Sequence, residues 1–163
     1  MSCELTTIER WCSKTHGGLK QIILLPLSDI SSMPVQYQRS EISDNITMNT
    51  GVTLVEIEFD KNTASIRERA RENDAGKYYE QTISLFIKRD RTEVHDFLTR
   101  MGSNRAHLVI TDWNGQKKII YSAKLSDDME SGESRGSRHG TSFNFTAQSI
   151  IKAPFWTGSF DYA

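Results

Sequence analysis

The sequence predicts a mainly β protein: a β-sandwich or barrel with one flanking α-helix and one long β-hairpin. Three observations carry that expectation. Apolar and polar residues alternate at period two in residues 53–59, 78–87 and 141–147, the pattern of half-buried strands. Helical spacing with a full apolar stripe appears once, where Val94, Phe97, Leu98 and Met101 fall at i, i+3, i+4 and i+7. Gly, Asn and Asp punctuate the intervals, most sharply at Asn114-Gly115, a strong hairpin signal.

The elements follow in order. Residues 1–18 read as a polar arm in which Leu5, Ile8 and Trp11 could make one amphipathic turn, ended by Gly17-Gly18. Residues 19–25 form a buried strand stopped by Pro26. Residues 27–50, rich in Ser, Asn, Asp and Thr, read as a long loop with room for a short strand near 35–38. In 53–59, Val55, Ile57 and Phe59 share one face and Glu56 and Glu58 the other.

Residues 66–72 are ambiguous. As a helix they offer only Ile66 and Ala70 as an apolar stripe, too little to anchor one, despite good helix formers. As a strand they place Arg67, Arg69 and Arg71 on one face. The turn at Asp74-Ala75-Gly76 leads straight into a strand with Tyr79, Gln81, Ile83, Leu85 and Ile87 on one face. A long hairpin, 63–73 with 77–88, is therefore favoured.

The helix is capped by Asp90 or Thr92 and closed by Gly102. Its single greasy face places it across a sheet. Residues 106–112 and 118–122 are strands joined through Asn114-Gly115, with positive φ expected at both turn residues. Residues 124–140 have almost no apolar content and read as a second long loop. Residues 141–147 turn Phe143 and Phe145 inward. Residues 152–163 form an aromatic arm bearing Phe155, Trp156, Phe160 and Tyr162, which needs a surface within this subunit or on a neighbour.

The length of 163 residues fits one domain, and 37% hydrophobic against 25% charged residues makes it globular but polar. A formal net charge of −1 argues against a basic nucleic-acid binder. Cys3 and Cys12 lack a companion His or Cys cluster, so no zinc site and no other cofactor is expected. The first residues lack a signal-peptide pattern, and the apolar run at 22–25 is too short to span a bilayer. A cytoplasmic product without a membrane role is expected, and the Asn-x-Thr sequons at Asn45 and Asn144 are read as chance.

Catalytic chemistry finds little support. His16, His95, His107 and His139 share no spacing, and His95 reads as a surface residue. No G-x-S-x-G elbow marks a nucleophile, and residues 131–136 lack the Lys-Ser/Thr of a phosphate loop. Asp127, Asp128 and Glu130 lack calcium-loop spacing. The chain is expected not to be an enzyme; an enzyme would need a cluster of titratable groups. The arginine stripe admits two readings: a solvated face balanced by Glu68 and Glu72, or an intersubunit seam or lumen face where Arg and Glu pair across subunits; direct DNA readout is the least favoured use.

Phe59 to Ser65, residues 78–87, the helix, Ala106 to Gly115, the Ser/Gly-rich loop, His139 to Phe145 and Ala153-Pro154-Phe155-Trp156 together resemble structural proteins of Bacteroidetes phages. The element order is similar to that of tail tube proteins of long-tailed phages, over residues 19–156. That resemblance implies a β-sandwich or barrel with one helix, assembled as stacked hexameric rings around a channel that DNA transits without sequence-specific binding. It implies other tail or neck proteins as partners and a virion location after synthesis in the host cytoplasm. It would use Arg67, Arg69 and Arg71 between subunits, paired with acidic groups or turned to an intersubunit surface. Phe155, Trp156, Phe160 and Tyr162 would anchor on a neighbour. The alternatives are a head–tail connector, tail-terminator or ring protein, and a small β-barrel ligand-binding module.

Overall fold

The computed structural model describes Ile8 and residues 14–35 and 40–163. The expected turn around Leu5 and Trp11, the two cysteines and most of the 35–38 strand lie outside the described residues. The chain is mainly β with a single α-helix among the described residues. No helix among them is long and apolar enough to cross a membrane.

The large sheet is built from β1 (Leu19–Pro26), β5 (Val55–Glu56), β6 (Ser65–Asn73), β7 (Gly76–Lys88), β8 (Arg105–Asp112), β9 (Lys117–Glu130) and β10 (Gly140–Ser149). Its order is β5-β1-β8-β9-β10-β7-β6, and every pairing along that path is antiparallel. The sheet curls until its ends approach. The Leu19 N–H donates to the Ala64 carbonyl just before β6, at 3.0 Å. β6 itself keeps its outer edge unpaired among the described residues.

The strong alternation explains the inner core. Ile22 and Leu24 on β1, Ala106, Leu108 and Ile110 on β8, Ile83 and Leu85 on β7, and Phe143 and Phe145 on β10 meet there. Helix α1 (Thr92–Met101) lies over this core with Val94 and Met101 buried and Phe97 stacked on Phe143 at 5.8 Å. Gly102 ends it, its N–H returning to the Leu98 carbonyl. The expected side-chain N-cap does not form. Arg91 occupies the cap position in extended conformation, Thr92 is already helical, and the Asp90 carboxylate instead meets His95 Nε2.

A second core covers the other face of β1, β8 and β9. Leu25, Val109 and Ile119 pack there against Ile42, Ile46, Met48 and Trp156. Much of this layer comes from the segment expected to be loop. Residues 27–50 hold β2 (Ile30–Ser32), β3 (Glu41–Ile42) and β4 (Ile46–Met48). The C-terminal arm supplies β11 (Phe155–Trp156), parallel to β3, and β12 (Phe160–Tyr162), parallel to β4. Strands of two or three residues leave no periodicity to read. β3 and β4 exist because the C-terminal arm, more than a hundred residues away, supplies hydrogen bonds to each, and β2 joins by pairing with β4.

Three further expectations change. Residues 124–140 are not loop throughout: β9 continues to Glu130 because β10 pairs with it from Thr146↔Lys124 to Gly140↔Glu130, which leaves 131–139 as the connection. The 53–59 strand shrinks to β5, although Ile57 is buried and Val55 and Phe59 pack on the same core as the alternation requires. At the β8–β9 turn only Gly115 takes a positive φ, because the Asp112 carboxylate accepts the N–H groups of Asn114 and Gln116 and holds a wider turn.

Candidate assembly surface

Nine residues of β6 pair with β7, from Ser65↔Ser84 to Asn73↔Gly76, so 66–72 is strand. Alternation then sets the two faces. Ile66, Glu68 and Ala70 point with Ile83, Gln81 and Tyr79. Arg67, Arg69 and Arg71 point away with Thr82, Glu80 and Tyr78. β6 is exposed along most of its length, and no strand among the described residues pairs with its other edge.

The arginine stripe is partly neutralised. Arg71 lies 3.8 Å from Glu80. Arg67 and Arg69 have no carboxylate within ion-pair distance among the described residues. The balancing acid is therefore Glu80 of β7. Glu68 was expected to share that role, but it faces inward. One of its carboxylate oxygens accepts from Gln81 Nε2 at 2.9 Å and from the Ala153 N–H at 2.7 Å. This clamp joins the hairpin to the C-terminal arm. Its sequence signal was Gln81, a lone polar residue on an apolar strand face and only 2% exposed.

The arm docks on its own subunit. Trp156 is 2% exposed and donates from Nε1 to the Asp44 carbonyl at 2.9 Å. Phe160 meets it edge-to-face at 5.0 Å. Gly158 permits the close approach, since a Cβ there would collide with the Asp44 carbonyl and the Trp156 indole nitrogen. Anchoring on a neighbour is thus corrected for Trp156 and Phe160, which belong to the second core. Phe155 and Tyr162 stay 38% and 54% exposed. Trp156 and Phe160 gather in the second core, while Phe155 lines a depression with Lys118 and Glu68. The arginines lie on the opposite face of β6 from the Glu68 clamp, so the two groups of predicted residues do not form one site.

His107 and Tyr121 form a small polar network beneath the second core. A bulge in β9 gives Ser122 a positive φ, and its N–H donates to His107 Nδ1 at 3.0 Å. The Tyr121 hydroxyl donates to the Pro34 carbonyl at 3.0 Å, with its ring edge-on to the imidazole. Burial lowers the His107 pKa and pushes Tyr121 up to about 12. Both groups are thereby held neutral, which suits structural hydrogen bonds.

One cleft of about 770 Å³ opens between α1 and the β1–β5 edge, floored by Leu24, Val55, Phe97 and Met101 with Glu93 and Arg105 at its rim. No protein-family model, curated protein or solved structure matches this chain.

Proposed function

We propose that the protein is an assembly subunit of the phage tail tube kind, forming stacked rings around a channel for DNA. The observation that carries this reading is the β6–β7 hairpin. Its outer strand has an edge nine residues long that no strand among the described residues pairs, polar on the face away from the core. An edge of that length invites pairing with another chain, and ring closure satisfies it without runaway growth. Arg67 and Arg69 lie beside that edge without an acidic partner among the described residues and would complete their ion pairs across it. The curled sheet with one flanking helix supports the same reading. Electron microscopy of the purified protein tests it: rings stacking into tubes are expected, single rings would favour the connector, and a monomer at high concentration would overturn both.

The cleft beside α1 favours a second reading, a ligand-binding β-barrel. Its apolar floor is the kind of surface that takes a small molecule. A monomer whose melting temperature rises with an apolar ligand would select it.

A further inference from the structure

β9 carries lysines at one end and carboxylates at the other, without ion-pair partners among the described residues. At its start, Lys118 Nζ lies 4.9 Å from the Phe155 ring centroid and Lys117 Nζ 5.6 Å from that of Trp156. The same end receives the tip of the β6–β7 hairpin and the chain leaving β10. There Lys77 and Lys152 lie 5.6 and 5.9 Å from the Tyr79 ring centroid. Lys118, Lys152 and Phe155 line one depression with Glu68, whose carboxylate is already held by Gln81 and Ala153. None of these four lysines has an ion-pair partner among the described residues. Ile150, beside them, is 79% exposed.

At the far end of β9, roughly 45 Å away for fourteen extended residues, Asp127, Asp128 and Glu130 are exposed and have no ion-pair partner among the described residues, and Glu133 follows in the connection. Met129 stands exposed among them. Lys88, Arg89, Arg135 and Arg138 share this end, but Lys88 pairs with Asp60 at 3.3 Å and Arg138 is engaged over the Phe86 ring at 3.5 Å. Antiparallel pairing makes β9 a strut that holds the two charge groups at opposite ends of the subunit.

We infer that these ends are the two halves of a head-to-tail contact between copies of this chain: the lysine–aromatic strip of one copy receives the acidic end of the β9–β10 hairpin of another. Charge complementarity selects this occupant, and Ile150 and Met129 supply an apolar contact within it. A head-to-tail contact whose rotation does not close propagates along an axis, as stacking requires. The inference rests on the assembly reading for its setting, while the contact itself is measurable without rings.

The test uses three variants of the full chain, D127K/D128K, K117E/K152E and all four together, all at exposed positions. Sedimentation velocity at low and high salt is read alongside electron microscopy. The wild type should self-associate in a salt-dependent manner, each double variant about tenfold more weakly, and the quadruple variant should recover. Rings that form but fail to stack in the double variants support the inference. Stacking or association unchanged by either reversal overturns it and leaves the ring reading standing. Recovery absent in the quadruple variant overturns it too. If no rings appear, salt-dependent association lost in the doubles and regained in the quadruple upholds the contact while the ring reading falls. A strip that binds a single-stranded oligonucleotide through Lys117 and Lys152, with self-association unaffected by the reversals, overturns the inference in favour of nucleic acid.

Discussion

β8 and β6 are strands of similar length with opposite surroundings. β8 is covered on both faces: Ala106, Leu108 and Ile110 face the inner core and Val109 the second. It also has a partner on each edge, β1 and β9. Among the described residues β6 has one partner, and its distal half is exposed on both faces. The sequences RAHLVITD and SIRERAREN already announce the contrast. A strand buried on both sides contributes stability. A strand left open on one edge contributes little and remains free to engage another chain. Substitutions should therefore divide into those that unfold the subunit and those that leave it folded but unassembled.

The largest effect should come from the doubly packed region. Phe143→Ala removes a fully buried ring stacked on Phe97 and should cost about 3–5 kcal/mol. Urea unfolding measures it, and a loss under ~1 kcal/mol would show that this core is not what holds the sheet. Glu68→Ala comes next, at about 1–3 kcal/mol, because it strips a buried amide and a backbone N–H of their acceptor. It should also loosen the C-terminal arm, seen as a red shift of Trp156 fluorescence beyond that of the other tryptophans.

The pH dependence is gentler. His107 accepts a hydrogen bond at Nδ1 and its pKa is lowered from 6.5 by burial. The unfolded chain therefore binds this proton first as pH falls. Stability contributed by neutral His107 is full above pH 6.5, declines as pH drops from there toward the folded-state pKa, and then levels. The urea midpoint should fall on acidification, and His107→Gln should flatten that dependence. A midpoint that rises instead would contradict the buried, neutral imidazole. At the alkaline extreme, Tyr121, pushed up to about 12, should make the fold lose stability above the ordinary tyrosine pKa of 10.0.

The smallest effect on stability should come from the open edge. Arg67→Ala with Arg69→Ala should change the unfolding free energy by less than about 0.5 kcal/mol. The same pair should abolish or weaken ring formation in electron microscopy. Intact rings would assign the stripe to solvent alone.

Much of the large sheet was legible because its strands alternate. Phe143 and Phe145, and Ile83 with Leu85, declared their faces, and the helix declared its stripe. The hairpin was legible once a helix over 66–72 was seen to have too little to bury. The N-cap was misread because Asp90 had a competing partner, His95, four positions into the helix. The end of β9 was misread because its residues are polar on both faces, and only the partner strand β10 makes it extended. The aromatic arm was recognised as needing a surface, but nothing local said which. Asp44 and Ile42 lie more than a hundred residues away and are themselves ordered by the arm.

By itself, the sequence determined the mainly β class, the lone helix, the hairpin and the outward arginines, because periods of 2.0 and 3.6 are local properties of the chain. Only the tertiary structure decided that the arm closes over its own subunit, that Glu68 turns inward to clamp it, and that β9 separates lysines from carboxylates. Those outcomes depend on which distant backbone groups satisfy one another, and hydrogen-bond partners far apart in sequence leave no periodic trace.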